Sequence, residues 1–346
     1  MTKQENLKLK KLKDQVIVIT GASSGIGLAT AKMAAMRGAA VVLASRNISD
    51  LKEIENEINS KGGRALAVFA DVSSEDDVRA LKDAAVHRFG RIDTWVNNAA
   101  GSIWGEVLAS PLPEARQIFE TNFWGVHYGC QNAIEAMRTS GGSIINIGSE
   151  ASERSIAFQT FYSASKHALK AYTEGLRTEL ERADVPVAMT LVRPAGIDTP
   201  IPQHAVNHLP KGEPALPAPV YHPDVAARAI LACAETPKRD VYVGGASKLF
   251  TVLEHLIPRA LDFLVERKVA DDQTKGQTVP HTKEYEGLMQ APLREGAIRG
   301  GHKGHVSKTS LWTTMSLHPL ASALTVAALG VAVYQFSKGS RAWNLS

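Results

Sequence analysis

The stretch QVIVITGASSGIG, residues 15 to 27, leads from a short β-branched apolar run directly into a glycine-rich turn. The run at 15 to 20 has the composition of a buried strand, and the residues from 25 to 37 have that of a helix. Glycines in such a turn let the backbone approach a phosphate closely, while the helix N-terminus supplies free N–H donors. The stretch therefore predicts the first βα unit of a nucleotide-binding sheet.

The alternation of apolar runs with helical stretches continues to about residue 245. We expect one helix behind Ser73 and Asp76, which form an N-terminal capping pattern, and another at 160 to 182. Further strands are predicted at AVVLAS (40 to 45), ALAVFA (65 to 70), TWVNNA (94 to 99), GSIINIGS (142 to 149), VPVAMTLV (185 to 192) and DVYVGG (240 to 245). This order predicts an α/β fold, a doubly wound, Rossmann-like parallel sheet of about seven strands with helices on both faces.

The predicted domain covers residues 14 to 246 and follows a basic N-terminal arm at 1 to 13. Seven prolines between 199 and 223 predict a loop rather than a regular element. A loop of that length inside a compact domain is usually functional, for instance as a substrate lid.

After the domain we expect a helical C-terminal extension in three parts. An amphipathic helix at 247 to 270, kinked at Pro258, is followed by a polar linker at 271 to 316 and a hydrophobic segment at 317 to 337. The apolar face of the helix is predicted from residues at helical spacing, namely Leu249, Leu253, Leu256, Ala260 and Leu264.

The hydrophobic segment contains an uncharged run of 18 residues, 319 to 336, near the lower limit for spanning a bilayer. No Asp or Glu stands between 296 and 346, so the whole tail is basic. Two interpretations stay open. The segment associates with a membrane as a transmembrane helix, or it packs on the apolar face at 249 to 264 or between subunits.

The composition, 44% hydrophobic and 21% charged, is that of a globular protein with a sizeable core. Only Cys130 and Cys233 are present, too few for a disulfide framework, and the apolar run after the basic arm is too short for a signal peptide. We therefore expect a cytoplasmic protein. The histidines, for example His302 and His305, lack metal-ligand spacing with supporting acids, so no metal is expected. The basic tail lacks aromatic interleaving, so no nucleic acid is expected.

The end of the second strand, Ser45, Arg46 and Asn47, bears on the choice of nucleotide. In dinucleotide-binding sheets an acid at this turn binds the ribose 2′-hydroxyl of NAD, whereas an arginine accommodates the 2′-phosphate of NADP. No acid stands at this turn. The turn therefore favours NADP(H) over NAD(H).

Tyr162 and Lys166 are four residues apart in a helical segment and so share one face of the helix. A nearby ammonium favours phenolate over phenol, which would lower the pKa of the tyrosine toward the range of a general acid/base. The pair is thus a candidate catalytic unit.

The chain carries a series of motifs in order, namely TGASSGIG at 20 to 27, Asp71-Val72, NNAA at 97 to 100, Asn122, Ser149, Tyr162 with Lys166, and PAGIDT at 194 to 199. This series resembles the short-chain dehydrogenase/reductase family over about residues 14 to 246. Ser149 precedes Tyr162 by the 13 residues usual in that family. Two positions depart from it, since the usual NNAG is NNAA with Gly101 following, and the usual Pro-Gly is Pro194-Ala195.

The resemblance implies a role for each matching residue. Tyr162 would be the acid/base, Lys166 would lower its pKa and hold the nicotinamide ribose, Ser149 would donate a hydrogen bond to the substrate oxygen, and Asn122 would keep a relay water. The implied cofactor-binding residues, from the adenine end to the nicotinamide end, are Asp71, Val72, Ser45, Arg46, Asn47, Gly21, Ser23, Ser24, Gly25, Ile26, Gly27, Asn98, Ala99, Ala100, Tyr162, Lys166, Pro194, Ile197 and Thr199.

The sequence therefore predicts an NADP(H)-dependent oxidoreductase that interconverts a carbonyl and an alcohol. Apolar residues in segments that should flank the nicotinamide favour a hydrophobic substrate; they are Ile103, Trp104, Ile156, Ala157, Phe158 and Phe161. The alternatives are an NAD-linked alcohol dehydrogenase with the same residues, or a catalytically silent dinucleotide-binding scaffold. The resemblance also implies a homo-oligomer.

Overall fold

The structure, a computed structural model, describes residues 4–269, 296–319 and 322. The strands are β1 (Val16–Thr20), β2 (Ala40–Ser45), β3 (Arg64–Phe69), β4 (Thr94–Asn97), β5 (Ile103–Gly105), β6 (Gly142–Ile147), β7 (Val187–Pro194), β8 (Val206–His208), β9 (Val220–Tyr221), β10 (Asp240–Val243) and β11 (Val306–Ser307). The helices are α1 (Gly25–Met36), α2 (Ile48–Ser60), α3 (Glu75–Phe89), α4 (Leu112–Phe119), α5 (Gly125–Met137), α6 (Thr160–Arg182), α7 (Ile201–His204), α8 (Pro223–Glu235), α9 (Gly245–Leu256), α10 (Pro258–Leu264) and α11 (Leu311–Leu317).

Seven strands form one parallel sheet in the order β3-β2-β1-β4-β6-β7-β10. β1 lies between β2 and β4, with Ile17 opposite Val41 and Val18 opposite Trp95. All five side chains of β1 are buried, as expected of a strand that is covered by helices on both faces. The predicted doubly wound sheet is confirmed.

Helices cover the two faces of the sheet with separate cores. Alternate residues of β1 divide between them, so that Ile17 packs with α1, α2 and α8, whereas Val18 packs with α3, α5 and α6. The chain moves from β1 outward to β2 and β3 and then returns to β4 on the other side. The loops after β1 and β4 therefore diverge and leave a crevice at the carboxyl ends of the strands, where nucleotides bind in such sheets.

Local hydrogen bonds adjust the predicted helix start near Ser73. The cap of α3 is Ser74, whose Oγ accepts from the N–H of Asp77 at 3.2 Å. The Ser73 hydroxyl instead donates to Asp71 Oδ1 at 2.6 Å. Neighbouring serines compete for one cap, and the aspartate at the end of β3 decides between them.

The proline-rich segment, residues 199 to 223, is not a loop throughout, which corrects the sequence prediction. It contains α7, β8 and β9. β8 pairs in parallel with β5, and β9 pairs in parallel with β11. These strands exist because their backbone groups find partners far away in the chain, a cause that local composition does not reveal.

The predicted kinked helix after the domain is two helices, with Pro258 at the start of the second. Of the residues predicted for its apolar face, Leu249 and Leu256 are exposed, whereas Thr251 and Leu261 are buried, so the helices pack on the domain through another face. Polar contacts set the rotation of α9, since the Ser247 hydroxyl donates to the carbonyl of Arg193 at 3.1 Å.

Residues 296 to 316, the described part of the predicted polar linker, are not irregular throughout. This part contains β11 and α11, and Ile298 and Leu317 pack against the core. Residues 271 to 295 lie outside the described residues, as do 320, 321 and 323 to 337 of the predicted hydrophobic segment. In the described parts of the chain, no helix has the length and apolar character needed to cross a bilayer.

The basic N-terminal arm packs on the domain from residue 4 onward. Gln4 is buried and its amide donates to the carbonyl of Arg177 at 3.2 Å, while Leu12 joins the core. The arm therefore covers part of the surface beside β7 and α6.

A buried polar network connects β4 and β6 to the helices on one face. The Asn97 side chain accepts from Trp95 Nε1 at 2.8 Å and donates to Asn146 Oδ1 at 2.9 Å. Asn146 in turn donates to the Thr173 hydroxyl of α6 at 3.0 Å. Gly129 of α5 lies against this network, because a Cβ there would stand 2.1 Å from Asn97 Oδ1.

We expect Gly129→Ala to lower the free energy of unfolding by about 1 to 3 kcal/mol, because the added methyl group has no room. Gly175→Ala is the matched control, since Gly175 lies within α6, is exposed and has no heavy atom within 4 Å of an added Cβ. That control should stabilise the protein by about 0.5 to 1 kcal/mol through helix propensity. Urea unfolding of both variants measures the difference, and equal effects would contradict this packing.

Candidate active site

A cavity of about 270 Å³ lies at the carboxyl edge of the sheet, bounded by the loops after β1, β2, β3, β4, β6 and β7. All but two of the predicted site residues line it. The exceptions are Gly27 and Asn122, which are buried behind the cavity wall. The topology therefore brings together residues that are spread over most of the domain.

The glycine-rich turn is held by close backbone contacts. Gly21 and Gly25 have φ angles of 65° and 53°, a region that disfavours other residues. Gly27 packs α1 against the turn rather than touching the cavity, since its Cβ would stand 2.1 Å from the carbonyl oxygen of Gly21. The three glycines thus serve turn geometry and close packing.

The loop after β4 is tied to the end of β1. The Thr20 hydroxyl accepts from the N–H groups of Asn98 and Ala99 at 3.0 and 3.1 Å. Asn98 Nδ2 donates to the carbonyls of Thr20 and Gly21 at 2.9 and 3.1 Å. These bonds fix the two loops that border the crevice.

At the other end of the cavity, Arg46 lies near Asp71, with Nη1 4.0 Å from Oδ2. Both side chains are about one third exposed. The Asn47 side chain caps α2 by accepting from the N–H of Asp50 at 3.1 Å. Arg46 is therefore the side chain of this turn that offers a positive charge to the cavity.

Tyr162 and Lys166 project from α6 toward Ser149, which follows β6. The Ser149 hydroxyl shares a hydrogen bond with the Tyr162 phenol. The Lys166 ammonium donates to the carbonyl of Ile147 at 2.8 Å and stands 5.7 Å from the centre of the Tyr162 ring. The structure thus brings three of the four predicted catalytic residues together.

Burial controls the protonation of Tyr162 and Lys166. It raises the pKa of Tyr162 to about 12, an effect that the Ser149 hydrogen bond opposes and the Glu150 charge increases. Burial also lowers the pKa of Lys166 to about 8. The sequence predicted that Lys166 lowers the pKa of Tyr162, but Lys166 is not among the groups that shift this pKa. At neutral pH the phenol keeps its proton and is poised to donate it.

Asn122 lies in the π-helical turn at Glu120–Trp124 and is fully buried. Its Oδ1 accepts from the N–H of Gly101 at 2.8 Å, and its Nδ2 donates to the Gly101 carbonyl and the Ser165 hydroxyl, each at 3.0 Å. The side chain therefore joins the loop after β4 to α6 and has no group left for the cavity.

The substrate side of the cavity differs from the sequence prediction. Trp104 and Ile156 line it, together with Leu216 of the proline-rich segment, whereas Ile103, Ala157, Phe158 and Phe161 do not. The Phe158 carbonyl instead accepts from the N–H of Gly105 at 2.8 Å. Trp104 Nε1 and the Ser102 hydroxyl are buried without a hydrogen-bond partner among the described residues.

Sequence reasoning missed Glu150, which lines the cavity directly after Ser149. Burial raises the pKa of its carboxyl to about 7. Within the described part of the chain, no side chain forms a hydrogen bond or ion pair with this carboxylate. Its position beside Ser149 was visible in the sequence, but its burial was not.

No cluster of three potential metal ligands occurs in the described ranges. The histidines of the proline-rich segment have separate partners. His208 Nε2 lies 2.6 Å from Glu114, and His222 Nδ1 accepts from the N–H of Asp224 at 3.2 Å.

We expect Glu150→Gln to stabilise the protein more at pH 8 than at pH 5. The folded pKa of about 7 exceeds the ordinary 4.5, so wild-type stability falls as the pH rises through this window. A full shift of that size corresponds to about 3 kcal/mol, and partial exposure to the cavity reduces the expected gain at pH 8 to about 1 to 2 kcal/mol. Thermal unfolding at both pH values measures it, with the exposed Glu53→Gln as control. An equal gain in stability at both pH values would contradict the raised pKa of Glu150.

The sequence profile of the short chain dehydrogenase family matches residues 15–209. An uncharacterized oxidoreductase, YxnA, of Bacillus subtilis is 43% identical over 325 residues, covering 93% of this chain and 91% of its own. The 3-beta-hydroxysteroid dehydrogenase of Comamonas testosteroni is 33% identical over 202 residues, 58% of this chain and 77% of its own. An 11-beta-hydroxysteroid dehydrogenase A of Sesamum indicum is 37% identical over 55% of this chain and 54% of its own.

Solved structures share the fold of the domain. A short chain dehydrogenase/reductase from Burkholderia phymatum in complex with NAD has a TM-score of 0.66 and 24% identity, covering 79% of this chain and all of its own. An alcohol dehydrogenase from Thermococcus sibiricus complexed with 5-hydroxy-NADP has a TM-score of 0.57 and 26% identity, covering 66% of this chain and 95% of its own.

Proposed function

Because the chain belongs to the short-chain dehydrogenase/reductase family and is an oxidoreductase acting on CH–OH or C=O groups, we propose that it reduces a carbonyl of a hydrophobic compound with NADPH. The observation that carries this proposal is the Tyr162 phenol, which lines the cavity and is hydrogen-bonded to Ser149, with Lys166 one helical turn away. The raised pKa keeps the phenol protonated at neutral pH, which is the form that can give a proton to a carbonyl oxygen.

The residues of the cavity fit a dinucleotide. The turn at Gly21 and Gly25 leaves backbone room for a pyrophosphate at the start of α1. Asp71 and Val72 border the end that would take the adenine, and Pro194, Ile197 and Thr199 border the end that would take the nicotinamide. A bound nicotinamide would supply the hydride.

We assign proton transfer to Tyr162 and hydrogen bonding of the substrate oxygen to Ser149 and Tyr162 together. Lys166 would bind the nicotinamide ribose after exchanging its bond to the Ile147 carbonyl. Asn122 is a positioning residue, because its side chain is occupied by Gly101 and Ser165. A hydrogen bond between Asn122 and a relay water would then be made by the main-chain carbonyl of Asn122.

The substrate side supports an apolar compound that also carries polar groups. Trp104, Ile156 and Leu216 offer apolar surface. Glu150 lines the same cavity, and its carboxylate has no hydrogen-bond partner among the described side chains. Buried polar groups are costly unless a ligand satisfies them. Hydroxylated ketones, including ketosteroids, are therefore the first compounds to assay.

We also propose a homo-oligomer, in keeping with the family resemblance. Large apolar side chains are exposed in and around α4 and the turn after it, where Leu108 is fully exposed and Leu112 and Trp124 are largely so. Such a surface fits a protein partner.

Replacing Tyr162 with Phe should lower the turnover number by about 10² to 10⁴, because the ring still packs but the proton donor is lost. Cofactor affinity and thermal stability should stay close to wild type. Tyr172→Phe is the matched control, since Tyr172 also lies in α6 but contacts His127 at 3.0 Å rather than the cavity. A wild-type enzyme without turnover on any carbonyl or alcohol with either cofactor would instead favour the silent scaffold.

Arg46→Ala should reduce the preference for NADPH over NADH by roughly tenfold to a hundredfold. A charge-assisted contact to the 2′-phosphate is worth about 1.5 to 3 kcal/mol. The ratio of kcat/KM for the two cofactors measures the preference. Arg79→Ala is the control, because Arg79 pairs with Glu75 on the exposed side of α3. Equal use of the two cofactors by the wild type would overturn the NADP assignment in favour of an NAD-linked enzyme.

A further inference from the structure

Residues 296 to 307, here called the C-terminal strap, cross the outer side of the loop at 194 to 200. The carbonyl of Ala297 accepts from the N–H of Gly25 at 3.0 Å. The carbonyl of Gly300 accepts from Gln203 Nε2 at 2.7 Å. At its end, the strap pairs through β11 with β9. The strap therefore connects the start of α1 with the loop after β7 and the proline-rich segment.

Asp198 is the centre of this contact. Its side chain is only 1% exposed. Oδ2 accepts from Arg299 Nε at 2.6 Å, and Oδ1 accepts from the N–H of His302 at 3.0 Å. Both partners belong to the strap, and no other described residue binds the carboxylate. A buried carboxylate is stable only when it is paired, so its position depends on the strap.

The two neighbours of Asp198 in the chain, Ile197 and Thr199, line the cavity. Thr199 packs closely against the glycine-rich turn, because a Cβ added to Gly25 would lie 3.1 Å from the Cβ of Thr199. Gly300 lies directly behind it, with room for no side chain, because a Cβ there would stand 2.2 Å from the Thr199 carbonyl oxygen. Arg299 and Gly300 do not line the cavity. Any effect of Arg299 on a ligand must therefore pass through the loop at 194 to 200.

We propose that the strap is a positioning element of the dinucleotide site and that Arg299 acts through Asp198. The ion pair holds the loop at 194 to 200 against the glycine-rich turn, so that Ile197 and Thr199 meet the nicotinamide half of the cofactor. The proposal rests on the assignment of the cavity to a dinucleotide. It gives the segment after the catalytic domain a role in the affinity for the cofactor.

The test is fluorescence titration of the full-length protein with NADPH and with NADH. Arg299→Ala should raise the Kd of the better-bound cofactor roughly tenfold to a hundredfold, within the usual range for coupling between two sites. The kcat at saturating cofactor should change by less than about threefold, because Arg299 touches no reacting atom. The double variant Arg299→Ala with Asp198→Asn also removes the carboxylate charge that Arg299→Ala leaves unpaired. Its Kd should therefore lie within about threefold of the Kd of Asp198→Asn alone.

Arg228→Ala is the matched control. Arg228 donates to the carbonyl of Lys308 at 2.8 Å and so fixes the chain just beyond the strap without touching Asp198. Its Kd should equal that of the wild type. A wild-type Kd in Arg299→Ala, or equal losses in Arg299→Ala and Arg228→Ala, would overturn the role of Arg299. If the wild type binds neither nucleotide, the assignment of the cavity fails instead, and the two failures are thereby told apart.

Discussion

The hydrogen bonds between Thr20 and Asn98 join the loops on either side of the point where the sheet reverses its order. Parallel strands alone would leave these loops free to diverge, and the crevice between them would have no fixed width. Here the Thr20 hydroxyl and the Asn98 amide bind backbone groups of the opposite loop, while Gly21 leaves no room for a side chain against Ala99. The floor of the cavity is therefore built from main chain, and the positions of the residues around it follow from this junction.

The candidate catalytic residues depend on the same sheet. β6 delivers Ser149, and α6 delivers Tyr162 and Lys166 over the carbonyl of Ile147. The network of Asn97, Asn146 and Thr173 fixes the spacing between β4, β6 and α6 from within the core. Burial that stabilises the fold also sets the chemistry, because it keeps the phenol protonated and weakens the basicity of the lysine.

The sequence predicted the sheet well because buried parallel strands form continuous β-branched runs, and α6 was predicted with its observed bounds of 160 to 182. Most of the predicted site residues line one cavity, because the majority of them follow the carboxyl ends of strands of the sheet. What could not be predicted depends on distant partners. The rotation of α9 follows from Ser247 bonding to Arg193, and β8 exists only through β5. The environment of Glu150 arises from packing around it, which no local pattern encodes.

The bond between Gly25 and Ala297 has a consequence for synthesis of the protein. The last strand of the sheet ends at Val243, so the whole sheet can form while the strap has yet to be translated. At about 5 to 20 residues per second, the ribosome needs roughly 3 to 10 s to pass from there to residue 296. A nascent chain can thus build the sheet before the strap that contacts the glycine-rich turn has been translated. A prematurely terminated product would keep the sheet and lack the ion pair at Asp198.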